Sequence, residues 1–138
     1  MKGIDSARVE AAIRAAEART SGELRVAVAR FFLGHDVRRA AEKTFQRLGI
    51  HRTKRRNGVL IFVAPLGRRC AVIADEGAHG AVDPTFWGAV VDRLLDRFRA
   101  GDLTAGLEAG IQEIAERLSG PFPSEPGDVN ELPDAVAR

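Results

Sequence analysis

Tyrosine is absent from this 138-residue chain, and cysteine, tryptophan and methionine occur once each. A single cysteine excludes an internal disulfide framework. Cys70 lies in an apolar segment and is expected to be a small buried hydrophobe. A nucleophilic role would need a paired histidine and exposure. No stretch approaches the ~18 apolar residues that a membrane-spanning helix needs, so direct membrane insertion is not expected. The start, Met1-Lys2-Gly3-Ile4-Asp5, lacks the apolar core of a signal peptide, and the chain reads as cytoplasmic. A dominant charge is missing too: 21 basic against 19 acidic residues leave +2, although the pI is about 9.2. The chain is therefore not a polycation. Lysine is limited to Lys2, Lys43 and Lys54, an arginine bias that a GC-rich genome would produce by itself.

Familiar catalytic signatures are lacking as well. There is no GxxxxGK[ST], GxSxG, HExxH or GxGxxG pattern. His35, His51 and His79 are far apart and lack ligand spacing, so neither a three-histidine zinc site nor phosphohistidine chemistry is expected. The run His51-Arg52-Thr53-Lys54-Arg55-Arg56 is basic but has no interleaved aromatics and no accompanying nucleic-acid motif. It reads as a solvated loop, or as an anion site at Arg55 and Arg56, and nucleic acid is not an expected partner.

What is present is an ordinary globular balance, 45% hydrophobic and 29% charged. A chain of this length buries roughly two-thirds of its unfolded surface. Residues 5–19 read as a helix with Val9, Ala12, Ile13 and Ala16 on one face. Leu24, Val26 and Val28 alternate as in a strand. Asp36 opens a second helix, with Gly49 just past its end. Val59–Ala64 and Cys70–Ala74 are nearly all apolar and are separated by a short turn, so they pair as a buried antiparallel hairpin. Asp83-Pro84 starts a third helix, with a face from Phe86 to Phe98, and Asp102 starts a fourth. Pro121, Pro123, Pro126 and Pro133 make the end irregular, packed through Phe122 and Leu132 or trailing.

The expected fold is α/β: a three-layer α/β/α sandwich with a small mixed sheet in the order αβαββαα. Residues 1–119 form the domain and 120–138 the proline-rich tail. The strand–helix–strand unit predicts parallel strands. That topology brings three segments to one sheet edge: Thr20-Ser21-Gly22-Glu23, Arg56-Asn57-Gly58 and Asp75-Glu76-Gly77. Gly34-His35-Asp36 and the Gly67 turn fall at the other.

These same segments carry a resemblance. TSGELRV at 20–26, LGIHRTKRRNGVLIFVA at 48–64, AVIADEG at 71–77, FW at 86–87, FRAGDLTAGLEAGI at 98–111 and NELPD at 130–134 together resemble the TPM domain family, in its short bacterial form. The resemblance implies the same three-layer fold. The family includes a plant thylakoid-lumen protein described as an acid phosphatase, a membrane-anchored protein acting on acetylcholine receptors, members associated with calcium, and many bacterial members without assigned activity. Longer members often carry an acidic residue just before Asn-Gly, where this chain has Arg56. They also usually carry a signal peptide or membrane helix, and this sequence has neither.

Two readings of the chemistry follow. Glu23, Asn57, Asp75 and Glu76 would supply oxygen ligands to calcium or another divalent cation, with Arg55 and Arg56 holding a phosphate. A metal-assisted phosphatase-like hydrolase would use that edge, although no nucleophile or base is identifiable from residue types. The more economical expectation is an accessory domain binding a protein partner, including a membrane-anchored one, with any cation structural. Phe31-Phe32 marks the expected partner surface, because an alternating strand cannot bury both rings on one face. Oligomeric state is not legible.

Overall fold

The computed structural model describes residues 3–124 and 135–137. Its elements follow the hydrophobic pattern, and side-chain caps set where most helices begin. The Asp5 carboxylate accepts from the Arg8 N–H and opens α1 (Ser6–Glu17). This satisfies one of the donors that a helix start leaves unpaired. β1 spans Glu23–Val28. Asp36 caps α2 (Val37–Arg47) through the Arg39 N–H. Gly49, at φ 70°, then turns the chain away in a conformation that glycine adopts without strain. A 3-10 turn at Ile50–Arg52 precedes β2 (Gly58–Ala64). The Pro65–Arg68 turn leads into β3 (Arg69–Ala74), with the Arg68 N–H bonded to the Pro65 carbonyl at 3.1 Å.

One element was not expected. Asp75 caps a six-residue helix, α3 (Glu76–Ala81), where the sequence suggests only a turn. Two glycines in six residues leave no periodic signal to read. α4 (Thr85–Arg99) begins just after Asp83-Pro84. The Asp83 carboxylate accepts from both the N–H and the hydroxyl of Thr85, which hold it below its ordinary value. Asp102 caps α5 (Leu103–Ser119) through the Ala105 N–H.

The sheet order is β1-β2-β3. β1 runs parallel to β2, with Val26 opposite Ile61, and β2 runs antiparallel to β3, with Ile61 opposite Val72. Helices cover both faces, as expected for strands with little polar surface. Val26, Val28, Val59, Ile61, Val63 and Val72 join one apolar core with α1, α4 and α5, in which Ile13, Leu107, Ile111, Ile114 and Leu118 are fully buried. Leu60, Phe62, Ala71 and Ile73 join a second core with Ala41 and Phe45 of α2 and with Ile50. The second face is not wholly apolar. Arg25 and Glu23 belong to the same side of β1 as Ala27, and both are buried. Burial, with Arg47 nearby, holds the Arg25 guanidinium below its ordinary value.

The described part of the tail is bonded rather than trailing. The Val28 N–H donates to the Ala137 carbonyl at 2.8 Å, and the Ala137 N–H donates to Val26 at 2.9 Å. Arg25 Nε reaches the Ala135 carbonyl, and the Phe122 carbonyl accepts from the Ser21 N–H and the Thr20 hydroxyl. These bonds cover the outer edge of β1, which would otherwise offer a row of unpaired backbone groups. Phe122 packs against the core, while Pro126, Leu132, Pro133 and the NELPD segment lie outside the described residues.

Cys70 is buried as expected, its Sγ 3.8 Å from the Val91 carbonyl oxygen. Burial, with Asp92 adding repulsion, pushes its thiol up to about 12. The folded protein should therefore resist a thiol reagent at neutral pH and react fully once denatured, as mass spectrometry would show. Because the folded value lies above the ordinary 9.0, the stability tied to this thiol is complete below about pH 9 and is lost as pH rises towards 12.

Candidate functional site

The three segments expected at one sheet edge do meet there, and backbone bonds hold them. The Glu23 N–H approaches the Asn57 carbonyl at 3.4 Å, and the Asp75 N–H donates to Gly58 at 2.9 Å. The Arg56 carbonyl accepts from Gly77 at 2.8 Å and from Ala78 at 3.3 Å. The approach at Gly77 is so close that a Cβ there would stand 2.4 Å from the Arg55 carbonyl oxygen. Only glycine fits this crossing.

Arg56 is the hub. Its backbone sits at φ 51°, an uncommon region for a residue with a side chain, and its N–H is tied to the Thr53 carbonyl at 3.2 Å. Its guanidinium forms a two-pronged bond to Asp75, Nε to Oδ2 at 2.7 Å and Nη2 to Oδ1 at 2.9 Å. Glu76 adds a contact at 3.5 Å. Asp75 Oδ1 also accepts from the Glu76 N–H at 2.9 Å. The Asp75 hydrogen bonds, with attraction from both carboxylates, hold the Arg56 guanidinium above its ordinary value. A forked arginine–carboxylate pair combines charge with fixed geometry.

The remaining expected site residues fall around this pair. Asn57 is buried, and its Nδ2 reaches the Ser21 carbonyl at 3.4 Å. Arg55 Nη1 donates to Ser21 Oγ at 2.9 Å. Glu23 is 5% exposed and thus not the solvated strand end that its position suggests. Glu76 lies at the surface, its side chain 72% exposed. The structure thus brings Arg56, Asp75 and Glu76 into direct contact and joins Arg55 and Asn57 to Ser21. Among the described residues no three His, Cys, Asp or Glu side chains gather in a way that could hold a metal ion. The donor set is not preassembled for a divalent cation, which would have to compete with Arg56 for Asp75. The histidines are scattered: His79 lies in α3, His51 stands 6.5 Å from the Phe45 ring, and the His35 carbonyl accepts from Arg69 at the far edge.

At that far edge the Phe31-Phe32 pair divides. Phe32 turns inward, edge-on to Phe62 at 6.2 Å. Phe31 is 82% exposed. Two further exposed apolar residues escaped the sequence reading, Leu33 at 70% and Leu66 at 59%. Neither belongs to a periodic pattern, because both lie in loops between elements. Only their position beyond the parallel ends of β1 and β2 relates them.

Residues 2–117 match the TPM domain family. The chain belongs to that family. Its fold is similar to the NMR structure of the BA42 protein from the psychrophilic bacterium Bizionia argentinensis, at 31% identity and a TM-score of 0.88, over 99% of this chain and 95% of that one. Two other solution structures share the fold alone. One is the N-terminal domain of a P. gingivalis protein, at 21% identity and TM-score 0.68, covering 81% of this chain and 72% of that one. The other is the N-terminal domain of cg2496 from Corynebacterium glutamicum, at 16% identity and TM-score 0.60, covering 89% and 74%. No curated protein matches the chain.

Two substitutions test the edge of this TPM domain. Asp75→Asn should keep an N-cap acceptor for α3 but lose the charge and one prong of the Arg56 fork, lowering stability by about 1–2 kcal/mol in urea unfolding. Gly77→Ala should cost about 1–3 kcal/mol through the clash at Arg55. If Gly77→Ala proved neutral, the tight crossing would be wrong.

Proposed function

We propose that this TPM-domain chain is an accessory binding domain rather than a catalyst, and that its working surface is the end of the sheet opposite the Arg56–Asp75 pair. The observation carrying this reading is the grouping of Phe31, Leu33 and Leu66, each more than half exposed, on two loops tied by the Arg69–His35 hydrogen bond at 2.8 Å. Large exposed side chains gathered at one place mark an interaction surface more often than scattered ones do. At the other edge the functional groups have structural work. Asp75 fixes Arg56 and caps α3, and Asn57 and Arg55 hold the chain at Ser21. A general base already held in a two-pronged ion pair is poorly placed to activate water.

The alternative, a metal-assisted phosphatase-like hydrolase, has a direct test. The purified protein should release no phosphate from a generic aryl phosphate with calcium, magnesium or manganese beyond what Asp75→Asn releases. A metal-dependent rate that Asp75→Asn abolishes would favour the hydrolase.

A second reading concerns the cation. Asp75 and Glu76 share one positive partner, Arg56, and a divalent ion binding there would displace that guanidinium. Arg56→Ala should then raise the affinity for calcium, seen as a cation-dependent increase in melting temperature larger than in the parent. No increase in either protein would discard a cation at this edge.

A further inference from the structure

Resting on the binding reading above, we infer that the Phe31–Leu66 end docks on an anionic lipid surface. The topology sets up the surface. β1 and β2 are parallel, so the loops that follow them, 29–36 and 65–68, emerge at the same edge. The Ala29 N–H still bonds the Val63 carbonyl at 2.9 Å, and Arg69 Nη1 bonds the His35 carbonyl, so the loops leave the sheet side by side. Phe31, Leu33 and Leu66 stand out from them.

Charge decides among occupants. Arg30, Arg68 and Arg69 are exposed on or beside these two loops, against two carboxylates, Asp36 on the first loop and Asp92 of α4 near Cys70. Asp36 is committed to the Arg39 N–H at the start of α2. The whole chain is nearly balanced, so this end is basic beyond its share. Arg30 lies 5.8 Å from the centre of the Phe31 ring, which joins a cation to the most exposed aromatic.

Protruding apolar side chains ringed by arginines fit a bilayer's headgroup layer well. The acyl boundary accepts a phenyl ring or isobutyl group without a preformed pocket, and lipid phosphates meet the guanidinium forks. A protein partner would need a matching cavity for each of these protruding side chains. An acidic protein would satisfy the arginines but leave the apolar groups to find such cavities. This contact is superficial, by side chains alone; no helix among the described residues is long and apolar enough to cross a membrane.

The experiment is co-sedimentation of the whole chain with phosphatidylcholine vesicles containing about one-third phosphatidylglycerol, beside vesicles of phosphatidylcholine alone. Binding should require the anionic lipid and weaken with salt. At about 1 kcal/mol per arginine near a charged surface, Arg30→Ala with Arg68→Ala should reduce partitioning about thirtyfold. Phe31→Ser with Leu33→Ser should reduce it at least about tenfold at unchanged charge. Arg14→Glu, on α1, should leave it unchanged. All these positions are exposed, and melting curves should confirm that each variant folds. If the anionic vesicles do not bind, or bind equally after Phe31→Ser with Leu33→Ser, the lipid inference is overturned. If vesicles fail but the parent retains a protein partner that the double serine variant loses, the lipid inference falls and the binding reading stands. Failure of both overturns both.

Discussion

The central strand constrains everything around it. All seven residues of Gly58–Ala64 are buried, and hydrogen-bonded neighbours occupy both of its edges. A strand apolar on both faces demands a layer of helix on each. α2 answers on one face, and α1, α4 and α5 on the other. The parallel pairing with β1 follows from the intervening helix, and the antiparallel pairing with β3 from the short turn. Those two connections fix which loops share an edge. The Arg56–Asp75 edge and the Phe31–Leu66 edge are therefore consequences of how β2 is buried.

The two edges are built differently. At one, polar groups face each other and the backbone crosses itself at Gly77, so order is dense and the charged atoms already have partners. At the other, side chains point away from the domain. A fixed polar hub at one end and exposed apolar side chains at the other give the domain two ends of different character. This division explains why the candidate chemistry and the candidate contact surface fall at opposite ends of three short strands.

Much of this was legible in the sequence because it depends on local pattern. Asp5, Asp36 and Asp102 cap helices where their spacing places them. The apolar runs of the hairpin pair as their turn dictates, and six ordered blocks carried the family. The convergence of Glu23, Asn57 and Asp75 was legible from topology. What those residues do there was not, because a side chain's partner depends on three-dimensional aim. Arg56 and Asp75 lie 19 residues apart, and nothing local says that they form a fork. Phe31 and Phe32 are chemically identical, and only the position of Phe62 decides which turns in. Leu33 and Leu66 lie in loops between elements, where periodicity gives no reading. The helix at Glu76–Ala81 owes its existence to a cap and to packing rather than to propensity.

The bonds from Ala135 and Ala137 to β1 have a kinetic consequence. Arg25 and Ala135 are 110 residues apart, so this closure can form only once nearly the whole chain has been made. Until then the side of β1 away from β2 stays open, a template for another chain's strand during folding. The outer edge of β1 thus depends on a distant segment for its cover while the chain is being made, a vulnerability that the finished core does not reveal.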